Sequence, residues 1–411
     1  MPATVRNVAA ASAGALGLAV GGHSLVRLGR AGRRRHRLGA GDPGAFGETV
    51  SVVVPARDEA GQVGRCVAAI LGQDAKVVEV VVVDDGSRDA TAAEAGRAGA
   101  RVVTAPAPAT GQAGKAAACA VGARAAAAGR WLAFVDADVV LAPEAISRLL
   151  GACLGAEPRP GTGAVAGSPL ARQATRTLWE GLLLPDLGLA VAERLDLDAI
   201  GDPGRPEAFL SGQCLLVRRD AYEAVGGFEA VAGSLVEDVA LARRLKAAGG
   251  RLEVRLAPDL AAVRMYGRFG DLWEGLAKNL AEVWGAGAGS VGWQAARALA
   301  GIAPWLALAA RPRSRAARTT ALAGGLLQLT VRAGGRLVAG ADPRLAVAYP
   351  AADLVLLAVY ADSVRRHRTG APVTWKGRTY RAPREGRNDP GTVPDQSGRA
   401  TPARTRPTGG R

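Results

Sequence analysis

Two carboxylates close an apolar run in the chain, Trp131-Leu-Ala-Phe-Val-Asp136-Ala-Asp138. A short apolar run bounded by a turn signal reads as a buried strand. Burying an unpaired charge is costly, so acids at such a place need a partner or a ligand. Residues i and i+2 of an extended segment point the same way, and both carboxylates can address one point. Two hard oxygen donors suit Mg²⁺ or Mn²⁺, ions that bridge protein carboxylates to substrate phosphates. Asp-x-Asp by itself also occurs in ordinary loops, so the weight falls on its surroundings.

Those surroundings hold more acids: Pro55-Ala56-Arg57-Asp58-Glu59, Asp84-Asp85-Gly86-Ser87 and, much later, Glu237-Asp238. Acids in a first helical turn often only complement the helix dipole, which is the plain alternative for the last pair. The three histidines are His23, His36 and His367, all outside 37–366. A Ser-His-Asp or Cys-His mechanism in the middle of the chain is therefore excluded. A general base there must be a carboxylate, Lys, Tyr or Cys. The four cysteines, Cys66, Cys119, Cys153 and Cys214, lack C-x-x-C spacing and read as small core residues.

The elements that must position these groups alternate. Val50–Val54, Val77–Val83, Arg101–Thr104 and Trp131–Val135 read as strands. Ala60–Gly72, Asp89–Ala98 and Ala113–Ala128 have helical spacing between them. Such alternation implies a parallel sheet with right-handed crossovers, and those sheets bind ligands at the carboxyl ends of their strands. Three strands deliver acids to that one edge. No G-x-G-x-x-G follows the first strand, which argues against a dinucleotide oxidoreductase. Further on, 162–167, 209–217 and 251–254 read as strands, with 220–225 and 236–248 as helices.

The formal net charge of +15 is concentrated outside this region, at Arg27–Arg37, Arg311–Arg318, Arg365–Arg368 and in the last residues. With aromatics at only 4%, this is not the pattern of a nucleic-acid groove, so no nucleic-acid partner is expected. Basic segments beside apolar ones instead suit membrane flanks. Residues 7–29 are apolar and precede six arginines between Arg27 and Arg37, the reverse of a signal peptide. We read 1–30 as an N-terminal membrane anchor and 31–48 as a basic linker. Residues 264–279 look amphipathic. Apolar stretches at 291–310, 321–341 (interrupted by Arg332 and Arg336) and 345–361 are candidate membrane helices within 286–368. A single crossing by 291–310 would put Arg311–Arg318 outside, and a re-entrant hairpin around Pro304 is one way to resolve that. Residues 369–411 read as a basic disordered tail.

Taken together, these residues resemble the family 2 glycosyltransferases, inverting enzymes of GT-A fold that use nucleotide-activated sugars. The resemblance covers roughly 49–285. Its marks are Val52-Val-Val-Pro-Ala-Arg-Asp-Glu59, Val82-Val-Asp-Asp-Gly-Ser-x-Asp89, Gly114-Lys115, Asp136-x-Asp138 and Glu237-Asp238. A narrower likeness is to the membrane-anchored subgroup linked to carotenoid and hopanoid glycosylation. It rests on Gly212-Gln213-Cys214, the run from Arg219 to Gly227, Arg264-Met-Tyr266, Trp273-Glu-Gly with Lys278-Asn279, and Trp375-Lys-Gly-Arg-x-Tyr380. Two departures stand out: Gln112 lies where the subgroup has Trp two residues earlier than its Gly-Lys pair, and Phe228 where it has His. The Gln-x-x-Arg-Trp motif of processive members is absent, which implies transfer of a single sugar.

The resemblance implies an α/β GT-A mixed sheet with flanking helices at 49–285, plus membrane helices at both ends. It implies that Pro55, Ala56, Arg57, Glu59 and Asp85 hold the nucleoside, that Lys115 lies near the diphosphate, and that Asp136 sits beside ribose and metal. Asp138 would ligate Mg²⁺ or Mn²⁺, and Asp238 would be the general base. Gly212, Gln213, Glu237, Arg264 and Tyr266 would lie on the acceptor side. The partners implied are a nucleotide-sugar donor, UDP-linked, and a lipid acceptor, at the cytoplasmic face of a multi-pass membrane protein. A polyprenyl-phosphate sugar synthase, another nucleotide-sugar enzyme and an inactive membrane scaffold are the competing readings.

Overall fold

The computed structural model describes residues 2–33, 36–39, 44–45, 47–109, 111–155, 163–234, 236–375 and 378–381. The chain opens with a long helix, α1 (Ala3–Ala31). The predicted alternation follows: β1 (Thr49–Ala56), α2 (Val63–Leu71), β2 (Lys76–Asp84), α3 (Thr91–Arg97), β3 (Arg101–Thr104), α4 (Gly114–Ala125) and β4 (Trp131–Val135). The less regular half comprises β5 (Val139–Leu141), α5 (Ala145–Leu154), β6 (Ala166–Leu170), β7 (Arg172–Gln173), α6 (Leu178–Arg194), α7 (Leu197–Gly201), β8 (Cys214–Arg218) and α8 (Arg219–Ala224). It continues with α9 (Glu237–Ala247), β9 (Leu252–Leu256), β10 (Ala261–Val263) and α10 (Phe269–Trp284). Three long helices, α11 (Ala288–Ala309), α12 (Arg315–Val338) and α13 (Tyr349–Thr369), precede a short pair, β11 (Pro372–Trp375) and β12 (Arg378–Arg381).

Seven strands form the main sheet in the order β3-β2-β1-β4-β8-β6-β9. The first four are mutually parallel, and β8 runs antiparallel to both its neighbours. This is the mixed α/β sheet that the family resemblance implies. β4 is an unbroken apolar run and β1 is apolar apart from Thr49 and Ser51 because the sheet is covered on both faces. One apolar layer packs α2 and α5 against it, the other packs α4, α8 and α9. Val53 is level with Val81 of β2 and with Phe134 of β4, so the segments leaving these three strands emerge along one edge.

Several boundaries move for a physical reason. The helix predicted from Ala60 begins at Val63 because the backbone N–H groups of Asp58, Glu59, Ala60 and Gly61 are taken by the side chains of Ser87, Thr91, Asp89 and Glu94. The strand predicted over 209–217 is confined to β8, because Ser211 N–H donates to Ser168 Oγ and Gly212 N–H turns to Asp238. Thr162, the start of another predicted strand, lies outside the described residues, and that strand is β6. The predicted tail is already structured at its start, where β11 and β12 pair antiparallel; 382–411 lie outside the described residues.

Two helices are long and apolar enough to cross a membrane by length and composition, Ala3–Ala31 and Pro343–Thr369. α11 passes straight through Pro304, so no hairpin forms there. α1 packs against α12 with almost no gap: a Cβ at Gly14 would lie 2.4 Å from the Thr320 carbonyl carbon. Small residues at such a crossing let helix backbones approach closely. The arginines that interrupt the predicted 321–341 stretch face inward. Arg332 donates to Asp353 at 2.9 Å and to Glu193 at 3.3 Å, Arg297 to Asp353 at 2.6 Å, and Arg336 pairs with Asp186. Three cations and three carboxylates are thus fully buried among α6, α11, α12 and α13. That arrangement ties the terminal helices to a helix of the sheet-bearing region.

Candidate active site

The edge loops after β1 and β2 are knitted into one surface. Asp85 N–H donates to Ala56 O at 2.9 Å, and Arg57 Nη1 donates to Asp85 O at 2.8 Å. Asp58 adopts φ 51°, a left-handed conformation rare outside glycine. Its N–H donates to Ser87 Oγ at 3.0 Å and its Oδ1 accepts from Arg88 N–H at 2.8 Å, which over-determines that strained geometry. Pro55, Ala56, Arg57, Glu59 and Asp85, the residues expected to hold the nucleoside, therefore share one rigid shelf. Asp85 is buried within it.

Beside the shelf, four elements converge on Lys115. It sits in the first turn of α4, and its Nζ lies 2.7 Å from Asp136 Oδ1 and 3.2 Å from Glu237 Oε1. Asp136 is fixed in turn by its N–H, which donates to Gln213 O at 3.0 Å. Asp238, next to Glu237 at the start of α9, accepts from Gly212 N–H at 2.6 Å and from its neighbour Val239 N–H at 2.8 Å. Gly212 leaves little room there. A Cβ in its place would lie 2.8 Å from Asp238 Oδ2 and 3.1 Å from Lys115 Nζ. The predicted pair Glu237-Asp238 is thus split by role, Glu237 as ion partner of Lys115 and Asp238 as a half-buried acceptor.

Electrostatics follow from this crowding. Burial, reinforced by the Glu237 carboxylate, pushes Asp238 up to about 6, against the pull of Lys115 and of the two N–H donors. Burial alone would lower the Lys115 ammonium, but Asp136, Glu237 and Asp238 together hold it well above its usual value. A carboxylate poised near neutrality can take up a proton, and a cation held this firmly can face a phosphate.

Asp138 lies nearby. Its charge and that of Asp136 add to the burial that pushes the Cys66 thiol up, and Asp138 likewise adds to the burial that raises the Tyr266 phenol. Two hard donors are appropriate for a divalent cation that takes its remaining ligands from phosphates and water. Among the described residues no group of three or more His, Cys, Asp and Glu side chains could hold a metal unaided. All four cysteines are free and buried, as expected of core residues.

The other expected acceptor-side residues do not all reach the cluster around Lys115. Gln213 Nε2 donates to Met265 Sδ at 3.4 Å. Tyr266 is buried, and a Cβ at Gly275 of α10 would meet its ring at 2.6 Å. Arg264 is turned away to Glu180 of α6, at 3.1 Å. Sequence reasoning gave Lys278 no role. It stands on α10, and burial lowers its ammonium while Glu237 and other nearby acids pull the opposite way. The run Trp273-Glu-Gly with Lys278-Asn279, already a mark of the subgroup, was the available signal. Phe228, where the subgroup has His, lies in the apolar layer behind the site, edge-on to Phe134 with ring centroids 4.8 Å apart. Gln112 is an exposed loop residue whose Oε1 accepts from Ala109 N–H.

A family model described as glycosyltransferase like family 2 matches residues 47–281. Among curated proteins, 4,4'-diaponeurosporenoate glycosyltransferase of Staphylococcus aureus (strain MRSA252) is 30% identical over 255 residues, 60% of this chain and 64% of that protein. The protein of the same name from strain N315 is 29% identical over the same length. The chain thus spans a little under two thirds of these relatives. Among solved structures, a mannosyltransferase from Pyrobaculum calidifontis in complex with GDP-Man and Mn²⁺ is 21% identical, with a TM-score of 0.48 over 87% of this chain and 99% of that one. Glucosyl-3-phosphoglycerate synthase from Mycobacterium tuberculosis with Mn²⁺, UDP and its product is 22% identical, with a TM-score of 0.35 over 55% of this chain and 75% of that one.

Proposed function

This chain belongs to the glycosyltransferase-like family 2, and from that membership we propose that it moves a single sugar, with inversion, from a UDP-linked donor to a lipid acceptor. The observation that carries the reading is the position of Lys115, 2.7 Å from Asp136 and 3.2 Å from Glu237, with Asp238 adjoining. The curated relatives carry the name of a carotenoid acid glycosyltransferase, which supports a hydrophobic acceptor.

The nucleoside rests on the shelf of Pro55, Ala56, Arg57, Glu59 and Asp85. Lys115 faces the diphosphate and stabilises charge that develops on it as the sugar leaves. Asp138, with Asp136 beside it, would hold Mg²⁺ or Mn²⁺, which when bound neutralises the departing diphosphate. Asp238 takes the proton of an acceptor hydroxyl, or orients an acceptor that is already a carboxylate. Attack from the face opposite the leaving group inverts the anomeric centre in one displacement. Base catalysis of this kind contributes about 10²–10⁴-fold.

Of the domain reading, with a transferase at 49–285, α1 supports the anchor at 1–30 and α13 alone supports a membrane helix within 286–368, since α11 and α12 are not among the helices long and apolar enough to cross. The arginines that follow α1 favour a cytoplasmic face for the catalytic region.

The test is incubation of the detergent-solubilised full chain with labelled UDP-sugars, a lipid extract and Mn²⁺. A labelled glycolipid is expected, lost in EDTA and restored by Mn²⁺ or Mg²⁺. A polyprenyl-phosphate sugar as the only product would replace this reading with that of a synthase. Full activity in EDTA would remove the metal role from Asp138.

A further inference from the structure

The wall beside Asp238 continues outward into an apolar surface. Gly212 holds Asp238, and the next residue, Gln213, reaches Met265 at 3.4 Å. Met265 is 38% exposed, Phe269 at the start of α10 is 42% exposed, and Leu178 at the start of α6 is 73% exposed. Trp179 meets Phe269 edge-on with ring centroids 5.9 Å apart, and Phe269 tilts against Trp273 at 6.2 Å. Two helix starts therefore meet in one rim of large apolar side chains turned to the outside. Contiguous exposed apolar surface of this kind marks a binding site.

We propose that this rim, formed by Leu178, Trp179, Met265 and Phe269, holds the hydrocarbon chain of the acceptor so that its polar end reaches Asp238. The inference rests on the lipid glycosyltransferase reading above and adds the surface that selects the acceptor. Continuity identifies the occupant. The rim leads inward, through Gln213 and Gly212, to the reacting carboxylate. A bilayer has other apolar faces to meet, such as Val8 and Leu25 on α1 and Leu354 on α13, all exposed. Of the arginines beside the rim, Arg264 is paired with Glu180 at 3.1 Å, while Arg176 and Arg268 stand exposed at its edge, where they can meet the acceptor's polar end or water. A long apolar chain lying on such a surface gains by removal from water in proportion to the area covered.

The test needs no turnover, so its failure is separate from failure of the transferase reading. A dibrominated stearic acid quenches tryptophan on contact, and Trp179 and Trp273 flank the rim. With the full chain held in amphipol, saturable quenching is expected. Half-saturation should rise roughly tenfold in Phe269→Ser and more in the double variant with Leu178→Ser, about the loss of one and two buried side chains. A control pair on the outer helices, Leu306→Ser with Leu326→Ser, should leave it unchanged. Unchanged half-saturation in the rim variants, or an equal loss in the control, overturns the proposal. So does loss of binding to phosphatidylglycerol vesicles with quenching intact, which would assign the rim to the membrane surface.

Discussion

The ammonium of Lys115 lies 2.7 Å from the Asp136 carboxylate, joining the first turn of α4 to the end of β4. Glu237 of α9 binds the same nitrogen from another side, at 3.2 Å. One cation therefore balances acids brought from separately encoded elements, and Asp238 stands directly behind them. In the proposed reaction a donor diphosphate would meet a cation already fixed in place.

Replacing Lys115 by Met leaves Asp136, Glu237 and Asp238 facing one another without a cation. We expect kcat/KM to fall by roughly 10²–10³-fold, the cost of losing one preorganised charge partner. The residual activity should also shift its acid limb to higher pH, because Lys115 now lowers the Asp238 value. An unchanged pH profile would separate Lys115 from the base.

Asp238 must be ionised to accept a proton, and burial raises it to about 6. For a hydroxyl acceptor, kcat/KM should be flat above that pH and fall tenfold per unit below it. Asp238→Asn should lose about 10²–10⁴-fold in turnover while donor binding, read by titration calorimetry, is kept. Turnover at the parental rate in that variant would refute the assignment.

Gly212→Ala probes the crowding without touching a charge. The added methyl would lie 2.8 Å from Asp238 Oδ2, closer than carbon and oxygen tolerate, so the carboxylate or the loop must move. A misplacement of this size should cost at least roughly tenfold in kcat, as positioning losses do, with little change in melting temperature.

The buried charges of the helical layer make a prediction about stability. Arg332 is fully buried against Asp353 and Glu193. Arg332→Met leaves the three buried acids to Arg297 and Arg336 alone, with one negative charge uncompensated, and breaking a buried ion cluster in this way costs about 3–5 kcal/mol. Thermal unfolding in detergent should report a correspondingly lower midpoint. Arg318→Met, at the start of the same helix in a basic segment with no matching acids, should be near neutral.

Much of this protein was open to reading in its sequence. Apolar runs ending in acids, separated by helical spacing, dictated β1, β2 and β4 and the edge at which Asp85, Asp136 and Asp138 emerge. Local periodicity suffices there because a parallel sheet covered on both faces needs continuous apolar strands. The helix α6 was missed although Thr177 and Glu180 form a capping box at its start, the one local signal it offers. What only the tertiary structure decided is every pairing between distant segments: Lys115 with Glu237, Gly212 with Asp238, Arg332 with Asp353. Sequence periodicity fixes which face a side chain occupies. It carries no information on which distant charge meets that face, because that depends on how crossovers and helix crossings bring the segments together. For the same reason the arginines of α12 read as breaks in an apolar stretch, while in the folded chain they hold its helices together.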